Sequence, residues 1–112
     1  MVQISFKTKK LGATLNDIRL LERSYGSTCG RKIARRMAVL AAASSLADVP
    51  TTPPERRHQL SGDRDEQFSV DAEHPYRLIF EVANDPMPRL ADGGIDLRKV
   101  TAIKILAVKD YH

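Results

Sequence analysis

The order of hydrophobic patterns predicts an α+β fold: an N-terminal strand and an antiparallel helical hairpin packed on one face of a mostly antiparallel, twisted sheet. Three observations carry this expectation. An alternating apolar segment opens the chain, two helical stripes separated by a short break follow, and a proline-rich stretch then leads into alternating segments divided by turn residues. The 112 residues lie within the usual size of one domain with one core, so residues 1–112 are expected to form a single unit.

Residues 2–8 place Val2, Ile4 and Phe6 on one side, the period of a half-buried strand. Thr14, with Asp17 three positions on, has the spacing of a capping box and predicts a helix through about Tyr25, with Ile18, Leu21 and Tyr25 on one stripe. Gly26 is suited to end that helix in a left-handed conformation, and Ser27 or Thr28 to cap a second one running from about Cys29 to Leu46. The inner stripe of the second helix would be Ile33, Met37, Leu40 and Ala41, sending Arg31, Lys32, Arg35 and Arg36 mostly outward.

Val49-Pro-Thr-Thr-Pro-Pro54 cannot continue a helix, because proline lacks the amide donor and clashes with the preceding turn. It is expected to be an extended connector to the sheet. Strands are predicted at 56–60, 67–71 and 76–82, separated by turns around Gly62 and His74-Pro75. In the last of them Tyr76, Leu78, Phe80 and Val82 face one way, and Arg77, Ile79 and Glu81 the other. Residues 84–99 are rich in Pro, Gly and Asp and read as a long excursion with at most one helical turn. Residues 100–108 are β-branched and apolar on both sides, as in a well-covered internal strand.

The formal net charge is +4, which favours anionic partners without naming them. Residues 1–54 carry nine Lys and Arg against three Asp and Glu, whereas residues 55–112 carry nine against eleven. Three Tyr, three Phe and no Trp are too few for an extended base-stacking platform. One cysteine excludes an internal disulfide framework and a multi-thiolate zinc site, and fits a reducing compartment. The polar start and the short apolar runs lack the marks of a secretory signal or a bilayer span, so a cytoplasmic protein without membrane contact is expected.

No metal is expected, since His58, His74 and His112 lack close spacing, and no glycine fingerprint for phosphate precedes a helix. No cofactor is expected either. The polar residues on and after the predicted strands are more informative: Arg57, His58, Arg77, Asp110, Tyr111 and His112 would meet on the uncovered sheet face if the strands pair in sequence. RNA cleavage through the 2′-hydroxyl needs a proton acceptor, a stabilised phosphorane and a proton donor. Arginine suits the second task and histidine the other two. Arg77 is therefore a candidate phosphate clamp, His112 a candidate acid or base, His58 a possible sharer of that role, and Tyr111 or Tyr76 a stacking residue. Structural readings stand beside these: Arg77 paired with Glu81, His112 frayed at the chain end, His58 a surface residue, His74 a turn residue and Cys29 hairpin packing. Lys9, Lys10, Arg31, Lys32, Arg35 and Arg36, with Arg57, are candidate RNA contacts or simply a solvated basic exterior.

Taken in order, His58-Gln-Leu-Ser-Gly-Asp-Arg64, Phe68-Ser-Val-Asp71, Tyr76-Arg-Leu-Ile-Phe80 and the closing Asp110-Tyr-His112, after a strand, a hairpin and a proline-rich connector, form a pattern over essentially the whole chain. It resembles the RelE/ParE toxin superfamily, and within it the HigB-like plasmid maintenance system killer proteins. The resemblance implies a RelE-like fold and metal-independent mRNA cleavage on the ribosome, silenced by a co-transcribed antitoxin protein. It places Arg77 at the family's core arginine, and Asp110, Tyr111 and His112 at its C-terminal Asp-Tyr-His. Two alternatives stay open: a toxin fold that inhibits a protein target such as gyrase, and an inactive relative that binds nucleic acid.

Overall fold

The computed structural model describes residues 1–64 and 66–110, Arg64 by its backbone alone. After β1 (Gln3–Phe6) the chain turns at once into α1 (Lys9–Leu15), a helix the spacing did not predict. Thr8 starts it from an extended conformation, its hydroxyl accepting from the Leu11 amide at 3.1 Å, the ordinary geometry of an N-cap. Thr14, expected as a cap, lies inside α1 and donates its hydroxyl to the Lys10 carbonyl at 3.0 Å. Asp17 caps α2 (Ile18–Tyr25) instead, its carboxylate accepting from the Arg19 amide at 2.9 Å.

Gly26 alone joins α2 to α3 (Ser27–Ala42). Its φ of 90° and ψ of 162° lie in an extended region open to glycine only, rather than in the left-handed helical region. Gly26 is also the N-cap of α3, so neither Ser27 nor Thr28 caps it, and the helix ends at Ala42 rather than Leu46. So short a link forces the two helices close. A Cβ at Gly30 would lie 2.8 Å from the Glu22 nitrogen. Cys29, Ile33 and Leu40 are buried as expected, but Ala41 is exposed and Arg36 is buried, a reversal of two expectations.

The proline-rich connector is folded back on itself rather than extended. Arg56 and Arg57 donate their amides to the Thr52 and Pro50 carbonyls, both at 3.0 Å, and Glu55 accepts from the Asp71 amide at 2.8 Å. These bonds satisfy backbone groups that an isolated extended segment would leave to water. Arg56 takes a φ of 49°, a conformation uncommon for a residue with a side chain.

One five-stranded sheet follows the order β1-β5-β4-β3-β2, with β2 (His58–Gln59), β3 (Gln67–Asp71), β4 (Tyr76–Val82) and β5 (Ala102–Asp110). The last four pair antiparallel, while β1 joins the far side of β5 in parallel, Gln3 opposite Ala102 and Phe6 opposite Ile105. The predicted alternation of β4 holds: Leu78, Phe80 and Val82 enter the helix-facing core with Phe68, Val70, Ile103, Ile105 and the helix residues Leu21, Ile33 and Leu40. Phe68 and Phe80 stack at 5.8 Å.

β5 is internal but covered on one face only, because Lys104 and Lys109 occupy the other, and its register shifts opposite Ile79 and Phe80. Residues 84–99 contain one helical turn, Leu97–Lys99. Asn84 fastens their start, its carboxamide oxygen accepting from the Thr101 and Ala102 amides, both at 3.0 Å. Among the described residues, no helix is long and apolar enough to cross a membrane.

Candidate nucleic-acid interface

Residues directly opposite one another in antiparallel strands share a face of the sheet, so the register lays out the side remote from the helices. Lys109, Arg77 and Asp71 form one row across β5, β4 and β3, and Ala107, Ile79, Ser69 and His58 form the next, reaching β2. Lys104, Glu81 and Gln67 make a third. The center is not flat. Ile79, Leu106 and Ala107 floor a cavity of about 170 Å³ whose rim includes Lys7, Lys109 and Gln67. Lysines around a small apolar floor are an arrangement that holds a phosphate backbone while leaving room for sugar or base edges.

Arg77 is paired on this face, with Asp71 and not with Glu81. Its Nε lies 3.2 Å from one Asp71 oxygen, and the Arg56 Nε lies 3.4 Å from the other. Glu81 is engaged by Lys104 at 3.5 Å. The turned-back connector makes this possible, because Glu55 binds the Asp71 amide and so sets Arg56 beside the end of β3. His58 is exposed on the same face, with its Nδ1 3.3 Å from the Oγ of Ser69, a residue fully buried beneath it. From Arg77 to His58 is a step of two strands and one residue pair, roughly 12 Å between Cα atoms by ordinary sheet spacing. The two therefore do not touch.

Not every residue expected here is brought together. Asp110 stands opposite Tyr76, which places it toward the helix-facing side at the same end of the sheet, so Lys109 rather than Asp110 accompanies Arg77. Tyr76 itself meets Tyr25 edge to face at 5.5 Å and belongs to the packed side. Arg57 is held away from the open face by a hydrogen bond from its Nε to the Val49 carbonyl at 2.9 Å; burial lowers its pKa from the ordinary guanidinium value. Tyr111 and His112 lie outside the described residues.

The basic exterior of the hairpin divides in two. Lys9, Lys10, Arg31 and Arg35 are exposed, with the Arg31 Nε donating to the Ser27 carbonyl at 3.2 Å. Lys32 and Arg36 turn inward toward the β3–β4 connection, where Lys32 pairs with Glu73 and the Arg36 Nε donates to the Asp71 carbonyl at 2.7 Å. Lys7, Lys109, Arg56 and Ser69 were missed by sequence reasoning. Strand alternation from Arg77 and His58 would have pointed to Ser69 only once the register was known. His74 lies in a turn as expected, and Cys29 is buried in the hairpin with burial raising its thiol pKa.

Among the described residues, no group of three or more His, Cys, Asp or Glu side chains is placed to hold a metal ion. No known protein family matches the chain, and no curated protein matches it.

Proposed function

We propose that this chain is the toxin of a type II toxin–antitoxin system: a cytoplasmic, ribosome-dependent mRNA endoribonuclease of RelE-like fold that cleaves through the 2′-hydroxyl. The observation that carries this reading is the open sheet face, where Arg77 lies in a row with Lys109 and His58 lies in the next. Arg77 would hold the reacting phosphate and offset the charge that grows on it, while Lys7 and Lys109 position the strand. His58 would take part in proton transfer, and the sequence resemblance assigns His112 to the same chemistry. Asp71 positions Arg77 by charge, and Arg56 shares that carboxylate.

The exposed Lys9, Lys10, Arg31 and Arg35 would contact ribosomal RNA. The antitoxin is supported by a different feature. Strand β1 stops pairing at Ile105, so beyond that residue no described strand covers this edge of β5, and α1 and α2 form a groove of about 370 Å³ beside it. An extended segment of a partner protein can add to such an edge.

A second reading, an RNA-binding protein that does not cleave, is favoured by the Asp71 carboxylate already lying against both Arg56 and Arg77. Cleavage of mRNA by reconstituted translating ribosomes decides between the two. Wild type should produce ribosome-dependent cuts that vanish in Arg77→Ala and His112→Ala, with free mRNA left intact. RNA binding without cuts by folded wild type, with antitoxin absent, would establish the second reading.

A further inference from the structure

The turn between β3 and β4 and the middle of α3 enclose a cavity of about 240 Å³, lined by Lys32, Arg36, Asp71, His74, Tyr76 and Arg77 among others. Arg36 is its distinctive wall. Only 6% of the residue is exposed, and its Nε is spent on the Asp71 carbonyl. Among the described residues, no hydrogen bond or ion pair reaches its terminal nitrogens. A buried guanidinium with unfilled donors is an unfavourable arrangement unless an anion completes it. Three cationic side chains and one carboxylate line the space, and the Glu73 carboxylate engages Lys32 beside it, so one positive charge stays in excess and favours an anion even with Asp71 and Glu73 present.

We propose that this cavity binds a single phosphate group, held by the terminal nitrogens of Arg36 with Lys32 and Arg77. Arginine's fixed fork matches two phosphate oxygens, and lysine reaches a third as a point charge. A tetrahedral oxyanion can accept from all of these donors at once, whereas a carboxylate has only two oxygens to share among them. The cavity of about 240 Å³ is larger than one phosphate group, so the source is either free phosphate or a phosphate monoester. This binding does not depend on the cleavage reading, since it needs neither a ribosome nor His112.

NMR titration of the full chain at fixed ionic strength tests it, with inorganic phosphate, 5′-AMP and 3′-AMP as separate probes and chloride as the control anion. Saturable shifts should appear at the amides of residues 71–77 and at the Arg36 Nε. Lys32 is half-exposed, so Lys32→Met should keep the fold while weakening binding roughly tenfold, the usual cost of losing a charge-assisted hydrogen bond. Arg36→Met should abolish binding. Because Arg36 also ties α3 to β3, its loss of binding counts only if the unfolding midpoint shows a folded protein, and Lys32→Met carries the test otherwise. Tighter binding of either nucleotide than of phosphate identifies a monoester as the ligand, and equal binding identifies free phosphate. Non-saturable shifts with all three probes, or unchanged affinity in Lys32→Met, would overturn the proposal.

Discussion

Replacing Gly30 by alanine sets two ordinary effects against each other, and the helical hairpin decides which wins. In an exposed helix the change stabilises by about 1 kcal/mol, because alanine loses less backbone entropy. At Gly30 the added methyl would lie 2.8 Å from the Glu22 nitrogen and 2.9 Å from the Leu21 carbonyl carbon. Both are backbone atoms and cannot rotate away. Normal contacts between heavy atoms begin near ~3.5 Å, so α2 would have to retreat by more than about half an ångström. Gly26 is the only residue between the helices, leaving little slack, and Leu21 and Ile33 would lose contact as the helices part. Overpacking of this kind costs ~1–3 kcal/mol. Because the obstructing atoms are fixed backbone, the cost falls in the upper part of that range, about 2–3 kcal/mol, and the expected net loss of about 1–2 kcal/mol lowers the melting temperature by roughly 4–15 °C in a domain of this size.

Gly12→Ala is the internal control. It brings the same propensity gain, but its methyl would meet the Phe6 ring at 3.0 Å, a side chain able to shift, so the variant should be close to neutral. Thermal and urea unfolding of both variants measure the difference. A Gly30→Ala protein as stable as wild type, or more so, would refute the close approach of α2 and α3 and with it the inward placement of Arg36.

Three further outcomes follow from the same geometry. Asp71→Asn removes the charge shared by Arg56 and Arg77; because both arginines are partly solvated, stability should fall by less than ~1 kcal/mol. RNA affinity at low salt should rise about threefold as a like charge leaves the phosphate path, and reduced affinity would place the RNA elsewhere. Lys7→Ala and Lys109→Ala should each lower the slope of log affinity against log salt by about 0.7 for single-stranded RNA, with no effect if the open face is not the contact surface. Cys29 and pH give the last: burial holds the thiol above its ordinary value, so the folded state favours the neutral form. That contribution is whole below the unfolded thiol's pKa, near ~8.5, and is lost as pH rises through the folded value. Stability should therefore decline in mildly alkaline solution, and Cys29→Ala should flatten the decline. Burial raises Tyr25 as well, so a higher-pH component remains. An unchanged alkaline limb would refute the thiol's part.

Much of the secondary structure was legible because it rests on short-range periodicity. The alternation of Tyr76–Val82, the turns at Gly62 and His74, and the break at Gly26 all came through. Helix α1 was not legible, since Thr8 and Thr14 are both chemically fit to cap, and only packing of Leu15 and Leu11 against the core chose the first. Of the site, strand alternation gave Arg77 its face. The partner was misjudged because Glu81 is nearer in sequence, whereas Asp71 is the residue opposite in the register.

By itself, then, the sequence determined the α+β pattern, the one-sided core of β4 and the candidates Arg77 and His58, since each follows from the period of apolar residues or the chemistry of a side-chain type. The tertiary structure alone decided that β1 lies parallel to β5 across nearly the whole chain, and that Asp110 sits toward the helices. It also decided that Arg36 turns inward while Arg31 and Arg35 stay in solvent. The physical reason is the same in each case. Periodicity specifies which way a residue points relative to its neighbours in the chain, but strand register and the presence of the Asp71 carbonyl beside α3 specify what it meets there.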